Sequence, residues 1–515
     1  MKQAGYILGI DIGGTGIKAG LFDLKGRLAG IGYSESQMIS TSPGQAEQDA
    51  ERWWHATAEA ILQAIEGKDA DRILAVGVGC TNGLIAVDKV GKPLRNAIML
   101  WDQRTIQEVA AIRAQLSAAA VLEIAGNPVA PGAFSLPTIM WLKRNEPDTF
   151  DQTFKLMVPG GYIVQRLTGE FTIDESRACT TLLFDIKNRK WHKPFFDALE
   201  IPIDKMPIPL PSMEIAGYIT AQAAEITDLT AGIPVIAGCM DTIGASVGSG
   251  VVTPGTCFVI MGTAARAASL IASTSFDPRF MNCDYIFPDQ YLTIAAMNGI
   301  GSTMRWLRDN FCQLEIQTAN HLQQDVYELI ISQAERSPPG SKGLIYLPYI
   351  SGERSPIWDP YARAVFFGIT LGHSRSDFFR AALEGTAYAI RHNVELMEEQ
   401  LGMHYAMIYI SGAPTRSSTW NQIIADVLGK EVIRVSEANA EVLGAALLSA
   451  IGAGLFATFD EMYSHVELLK NSYTPSPAAH SAYNEIFPLY KELYPDLKQY
   501  FERQAKLCLA QGWVA

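Results

Sequence analysis

The chain has 515 residues, more than one hydrophobic core serves, because single cores stop growing near about 250–300 residues, so two domains of similar size are expected. At 48% hydrophobic and 18% charged residues the composition is that of a packed globular protein and excludes a disordered one. Lys plus Arg number 41 against 54 Asp plus Glu, a formal charge of −13, which argues against nucleic acid as a partner and leaves anionic small ligands to backbone amides, helix ends or a metal.

In chain order, the opening reads as an antiparallel meander. Tyr6 to Ile10 is a strand, Asp11-Ile12-Gly13-Gly14-Thr15-Gly16 a turn, and Ile17 to Asp23 the return strand, closed by Lys25-Gly26. Ahead of it, Met1-Lys2-Gln3 and a short apolar run broken by Asp11 are too short for the apolar region of a signal peptide. A helix is predicted next, with Glu47, Asp49 and Glu51 near its start and an apolar stripe through Trp53, Trp54, Ala58, Ile61, Leu62 and Ile65. The two tryptophans read as core and surface of that one amphipathic helix. Ile73 to Gly79 is a β-branched run ending in Cys80-Thr81-Asn82-Gly83, and Leu84 to Val87 a further strand. Strands alternate with helices, so the fold class is α/β.

The small, flexible stretch Gly244 to Gly255 places a domain boundary near residue 250, giving domains 1–250 and 251–515. Just beyond it the opening pattern recurs: Cys257 to Met261 as strand, Gly262-Thr263 as turn, Ala264 to Leu270 as return strand. A duplicated fold would give this, each half supplying one phosphate-facing hairpin. Val442 to Phe459 carries no charged residue and approaches the length of a membrane span, but its Gly and Ala content predicts a buried helix, and no membrane partner is expected. From Asp460 onward, polar helices on the second domain are expected. Seven cysteines, an odd number with no C-x-x-C, predict reduced thiols in a cytoplasmic protein.

Two stretches can carry chemistry. In Asp11-x-Gly13-Gly14-Thr15-x-x-Lys18 the glycines let backbone approach an anion, turn amides and the Thr15 hydroxyl can donate to phosphate, and Asp11 at the strand end can hold a divalent cation through water. The plain alternative is a hairpin that only needs glycine at its turn. Neither a Walker loop nor a strand-to-helix G-x-G-x-x-G occurs. In the second stretch an apolar strand from Ile233 to Ala237 delivers Asp241 into a run of small residues. Asp241 either caps the helix that follows or acts as a general base toward an attacking hydroxyl. Cys239 beside it reads as a small apolar filler, and Arg305, Trp306 and Arg308 as packing and surface charge.

The segment Ala364-Val365-Phe366-Phe367-Gly368-Ile369, followed after seven residues by Asp377-Phe378-x-x-Ala381-Ala382-Leu383-Glu384, resembles the C-terminal signature of the FGGY carbohydrate kinases position for position. Ser351-Gly352-Glu353-Arg354-Ser355-Pro356 before it, and Gly412-Ala413-Pro414-Thr415-Arg416-Ser417 with Trp420-Asn421-Gln422 after it, are similar to the same family, and the likeness runs from about residue 6 to about 470. The resemblance implies a two-domain actin-like (ribonuclease H-like) ATPase fold, duplicated, with an interdomain cleft that closes over the reaction. It implies an ATP-dependent kinase that uses Mg2+ to phosphorylate a small sugar or polyol, found as a homodimer as relatives commonly are. By position, Asp241 is the base and touches substrate and metal, and Asp11 assists the metal. Gly13, Gly14, Thr15 and Lys18 resemble the first phosphate loop, Gly262 and Thr263 the second, and Gly301, Gly412, Ala413 and Ser417 the nucleotide lining.

The departures bear on the acceptor. Xylulose kinases of the family carry Gln-Met-His-Gly where this chain has Cys80-Thr81-Asn82-Gly83, so the sugar-facing His is Asn82 here. Leu100-Trp101-Asp102-Gln103-Arg104 shifts the family's Trp by one, leaving Asp102 as the expected acceptor of a sugar hydroxyl and Trp101 as an apolar wall. A pentulose such as L- or D-xylulose is the expected substrate, another sugar or a polyol the alternative, and a non-catalytic sugar sensor the remote one.

Overall fold

The computed structural model describes residues 5–40, 42, 44–435, 439–468, 470–511 and 513. Met1-Lys2-Gln3, on which the reading of the N-terminus rests, lie outside them. The chain forms two compact units: unit 1 is Met1–Pro254, Leu270–Thr293 and Asn439–Leu468, and unit 2 is Gly255–Ser269, Ile294–Ala438 and Leu469–Ala515. The expected continuous domains 1–250 and 251–515 are therefore corrected: the first crossing falls between 254 and 255, but two later segments return to unit 1.

The elements of unit 1 that matter for the site are, in chain order, β1 (Tyr6–Ile12), β2 (Gly16–Asp23), β3 (Leu28–Glu35), α1 (Ala50–Ile65), β4 (Ile73–Cys80), β5 (Gly83–Val87), α2 (Pro159–Thr168), α3 (Glu175–Cys179), α4 (Ala221–Thr227), β6 (Pro234–Ile236), β7 (Cys239–Met240) and α5 (Asp241–Gly248). β1, β2 and β3 form the expected meander. On its other edge β1 runs parallel to β4, which in turn pairs parallel with β6 and β7. β4 (Ile-Leu-Ala-Val-Gly-Val-Gly-Cys) is apolar on both faces because it is covered on both, as parallel strands usually are. Asp49 caps α1, accepting from the Glu51 N–H at 2.9 Å. Both tryptophans of α1 are buried, correcting the expectation of one surface ring: Trp53 Nε1 donates to Gln48 Oε1 at 3.0 Å, and the Arg166 guanidinium lies 5.1 Å over Trp54.

In unit 2, β8 (Cys257–Met261) pairs antiparallel with β9 (Ala265–Ile271) around the Gly262-Thr263 turn, from Cys257↔Ser269 to Met261↔Ala265. Beyond these come α6 (Gly301–Phe311), α7 (Arg375–Leu401), β10 (Met407–Ser411), α8 (Ser418–Leu428) and β11 (Glu431–Val435). β8 runs parallel to β10, and β10 to β11. Both units thus hold strand, glycine turn and return strand, with the first strand flanked by a parallel one.

The two acids of the signature on α7 prove to be braces. Asp377 forms a capping box with Ser374 and accepts from Ser337 Oγ at 2.6 Å. Burial pushes its carboxyl up, but the hydrogen bonds from Ser337, Ser374 and Lys342 win and hold it well below the usual range. Glu384, also buried, accepts from Gly340 N, Ser341 Oγ, Arg380 Nε and Tyr483 Oη.

Of the uncharged run, Val442 to Gly452 lies in a helix, α9 (Ala440–Gly452), which belongs to unit 1 with most of its residues buried, but the expected helix is cut short: Ala453 to Thr458 form turns and Phe459 opens the next helix. α9 crosses α5 through glycine: a Cβ on Gly444 would stand 1.7 Å from the Gly244 carbonyl oxygen. That approach is why the sequence is so rich in small residues here, and no helix among the described residues is long and apolar enough to cross a membrane. The tail is also corrected: Phe459–His465 stays with unit 1, and only the strand β12 (Lys470–Tyr473), antiparallel to β11, and the helix α10 (Pro477–Gln511) join unit 2.

Candidate active site

Three parallel strands of unit 1 end together, and their ends carry the chemistry. Asp11 on β1 is in register with Gly79 on β4, and Gly79 with Cys239 on β7. β4 leads directly into Thr81-Asn82, and β7 into Asp241, so Asp11, Asn82 and Asp241 leave the same edge of one sheet. The C-terminal edge of a parallel sheet is where ligands of α/β proteins bind. Lys18 is the cross-strand partner of Asp11. The turn Gly13 to Thr15 is tight, Gly13 N–H donating to Gly16 O at 3.0 Å.

Asp241 is the first residue of α5 and Met240 its cap, so Asp241 does not itself take the N-cap position. Its Oδ1 accepts from the Thr242 N–H at 2.7 Å and from Thr242 Oγ1 at 3.2 Å. The positive end of the helix favours a carboxylate there. The backbone ahead of it is pinned from α3. Asp174 caps that helix through the Arg177 N–H at 2.9 Å and accepts from Ser176 Oγ, which in turn accepts from the Met240 N–H at 2.9 Å.

Arg177 was not singled out from sequence, where it is one arginine in Glu175-Ser176-Arg177-Ala178 with no spacing to mark it. It is buried, and its Nη2 donates to the Cys80 carbonyl and stands 3.3 Å from Asp241 Oδ1. Burial works against its charge, but Cys80, Asp241 and Asp174 together hold the guanidinium above its ordinary value. A permanent cation therefore sits beside Asp241. The neighbouring thiols are inert: burial pushes Cys80 to about 12 and Cys239 well above the ordinary range.

The residues expected to meet the sugar fare differently. Asn82 is buried, donates Nδ2–H to Ala133 O at 2.8 Å and accepts from Thr180 Oγ1 at 3.3 Å, which leaves one donor and one lone pair for a ligand. Asp102 is a correction. Its Oδ1 accepts from Arg104 N (2.9 Å) and Arg104 Nε (2.8 Å), and its Oδ2 from Ala46 N (2.7 Å) and Arg104 Nη2 (2.7 Å). A carboxylate offers about four acceptor sites, and all are filled within the chain, so Asp102 ties its loop to Ala46 and is not placed to bind a hydroxyl. Trp101, 45% exposed, lies over the glycine turn: a Cβ on Gly14 would stand 2.0 Å from its Cη2. Gln48 Nε2 also donates to Gly14 O at 2.8 Å.

Unit 2 contains a cavity of about 880 Å³ lined by Gly262, Thr263, Gly301, Ala413 and Ser417, with Met304, Ile331 and Trp420 as apolar wall. Five of the six residues assigned to the nucleotide in this unit thus meet around one space large enough for it. The sixth, Gly412, caps the short turn Ala413–Arg416 with its carbonyl, accepting from Thr415 N at 3.1 Å and Thr415 Oγ1 at 2.7 Å. The Gly262 and Thr263 carbonyls accept from the Gly301 and Ser302 N–H groups at 3.1 and 2.9 Å, so the start of α6 is stitched to the turn. Arg305, expected as surface charge, lines the cavity, and its Nη2 donates to Thr263 Oγ1 at 3.2 Å. Its place one helical turn beyond Gly301 is the signal that could have found it.

Among the described residues no group of three or more His, Cys, Asp or Glu is arranged to hold a metal. Asp11 and Asp241 remain donors of the kind magnesium takes, since it keeps water and phosphate oxygens around one or two carboxylates.

The N-terminal domain of the FGGY family of carbohydrate kinases matches residues 6–248, and the family's C-terminal domain matches residues 251–453. The chain belongs to this family. It is a sugar kinase, and its α/β fold of two units is the actin-like ATPase fold of the FGGY kinases. The xylulose kinase of Lactococcus lactis is 30% identical over 503 residues, covering 96% of this chain and 97% of that one. The gluconokinase of Bacillus subtilis is 28% identical over 495 residues, covering 95% of each. Among solved structures, the xylulose kinase of Rhodospirillum rubrum superposes with a TM-score of 0.86 at 28% identity, over 96% of this chain and 100% of that one.

Proposed function

We propose that this FGGY kinase transfers the γ-phosphoryl group of ATP to a hydroxyl of a small ketose, a pentulose of the xylulose type, with Asp241 as general base. The observation that carries the assignment of the base is the placement of Asp241 beside a buried, permanently charged Arg177 at the edge where β1, β4 and β7 end. The acceptor alcohol gives its proton to the Asp241 carboxylate as its oxygen attacks phosphorus. Thr242 and Arg177 fix the carboxylate's direction, and Arg177 places a positive charge beside it. Asn82 offers the sugar its remaining amide donor and lone pair, and Trp101 an apolar face.

The adenine nucleotide is assigned to the cavity of unit 2, with Gly262, Thr263, Gly301, Gly412, Ala413 and Ser417 around it and Arg305 near its phosphates. Gly13, Gly14, Thr15 and Lys18 of unit 1 are assigned to phosphate as a first phosphate loop. Magnesium, when bound near Asp11 and Asp241, supplies neutralising charge for the phosphoryl oxygens. We place the protein in the cytoplasm, where a reducing poise suits its seven free thiols.

The pentulose rests on the xylulose kinase relatives, and the gluconokinase relative supports a second reading, an aldonic acid acceptor. ADP release measured over a panel of D- and L-ketopentoses, gluconate, glycerol and hexoses separates them. Turnover confined to gluconate or to polyols overturns the pentulose assignment.

A further inference from the structure

Away from the strand ends, unit 1 holds a second cavity, of about 530 Å³, where α1, α2 and α4 meet the turn after β5. Nothing in the kinase reaction as derived above uses it. Its lining is chemically sorted. On one side stands the turn Asp88 to Lys92, made rigid by Asp88 Oδ1, which accepts from the Val90 and Lys92 N–H groups at 2.9 Å each. Lys89 and Lys92 project from it, both line the cavity, and among the described residues neither ammonium has an acceptor. On the other side is Arg166 of α2, whose Nη1 is engaged by both oxygens of Glu51 at 2.8 Å and by Tyr162 Oη at 2.8 Å. That pair is neutral, so the two lysines leave the cavity net positive.

Between these charges lies Gln165. It is 8% exposed, it lines the cavity, and its Oε1 has no hydrogen-bond partner among the described residues. A buried amide oxygen without a donor is costly, and such a group calls for a ligand that donates to it. The turn reaches Gln165 because Gly91 is bare: at φ +84° a Cβ there would stand 2.3 Å from both amide heteroatoms. The side chains of Phe171 and Ile226 supply the apolar part of the wall.

We propose that this cavity is a binding site for a small polyhydroxylated phosphate, an effector separate from the kinase substrates. The phosphate dianion is met by Lys89 and Lys92, a hydroxyl donates to Gln165 Oε1, and the carbon skeleton lies against Phe171 and Ile226. Two ammonium groups match a dianion better than a single carboxylate, and a hydroxyl supplies the donor that phosphate alone at pH 7 offers poorly.

The test is calorimetric titration of the full chain, without nucleotide, using glycerol 3-phosphate, inorganic phosphate and glycerol as separate probes. One glycerol 3-phosphate is expected to bind per chain, more tightly than inorganic phosphate, with glycerol giving no signal. In K89Q/K92Q the affinity is expected to fall about tenfold or more while kinase turnover stays unchanged, because both lysines are exposed on a turn outside the reaction site. In Q165L the preference for glycerol 3-phosphate over inorganic phosphate is expected to vanish. Three results overturn the proposal: no binding of glycerol 3-phosphate at millimolar concentration, affinity unchanged in K89Q/K92Q, or inorganic phosphate binding as tightly as the glycerol ester. Loss of turnover in K89Q/K92Q alongside loss of binding also overturns it, since the site would then not be separate.

Discussion

The two glycine turns share a strand plan but differ in what holds their glycines. In unit 1 the turn after β1 is tied by main chain only at its far end, where the Ser36 N–H donates to Thr15 O at 3.1 Å, and its Gly14 is held by side chains: Trp101 covers it, and Gln48 donates to its carbonyl. In unit 2 the turn after β8 is held by main chain, the first N–H groups of α6 donating to the Gly262 and Thr263 carbonyls. A side-chain clamp can yield, whereas a backbone stitch cannot yield without unwinding a helix start. At Gly14 the turn of unit 1 is thus adjustable, and that of unit 2 is fixed.

The largest effect should fall on neither turn but on the residue that gives them a purpose. Asp241→Asn is expected to lower kcat by about 10²–10⁴-fold, the range of a general base, with the nucleotide dissociation constant little changed by equilibrium titration. A variant that keeps its rate removes Asp241 from the reaction.

Next comes the contrast between the turns. Gly301→Ala puts a methyl group 2.2 Å from the Gly262 carbonyl oxygen and 3.0 Å from its carbon, with only backbone to move. Nucleotide affinity is expected to weaken by about tenfold or more, read by calorimetry on folded protein. Gly14→Ala meets the far end of a half-exposed ring, so Trp101 swings aside and the melting temperature should shift by only a degree or two, a loss of under about 0.5 kcal/mol. Equal effects at the two positions would erase the contrast.

The brace behind the fixed turn has a pH signature. Glu353 is buried, and its Oε1 accepts from the Asn298 N–H at 2.7 Å and the Arg354 N–H at 2.8 Å, anchoring the segment that leads to Gly301. Burial raises its carboxyl to about 7, the two backbone N–H groups and the Arg354 charge offsetting only part of that. Folded protein thus holds a proton that unfolded protein releases near 4.5. Its contribution to stability is full below pH 4.5 and is lost as pH rises through 7, a change of about 3 kcal/mol. Urea melts of Glu353→Gln between pH 5 and 8 should lack this decline. Asp284 in unit 1, raised by burial to about 8 against the pull of Arg189, should add a similar decline that survives in Glu353→Gln.

A modest effect on substrate is expected from Trp101→Ala, which uncovers the adjustable turn. KM for the sugar should rise a few fold at nearly constant kcat, as for loss of uniform binding.

Much of this was legible in the chain because it depends on local pattern. The hairpins, the buried β4 and the capped α1 follow from apolar alternation and from Asp49 and glycine placement. What escaped depended on contacts far apart in sequence. Arg177 matters because α3 brings it to Cys80 O and Asp241, and nothing near position 177 announces that. Asp102 looked available because the sequence does not show Arg104, two residues on, folding back onto it, nor Ala46 arriving from far away to fill its last acceptor site. The long uncharged run read correctly as a buried helix only as far as Gly452, and the unit that buries it could not be read from composition. The signature that marks the family carries Asp377 and Glu384 as braces around Ser337 to Ser341, so the most recognisable residues are scaffold.

The return of α9 to unit 1 bears on how the protein is made. A Cβ on Gly9 of β1 would stand 1.9 Å from the Val442 carbonyl oxygen, and one on Gly77 of β4 1.9 Å from that of Ala445. The central strands of the first-synthesised half are thus roofed by a helix that leaves the ribosome almost last. Until then an apolar sheet face waits uncovered, and a nascent chain halted near residue 254 is a client for chaperones rather than a finished domain.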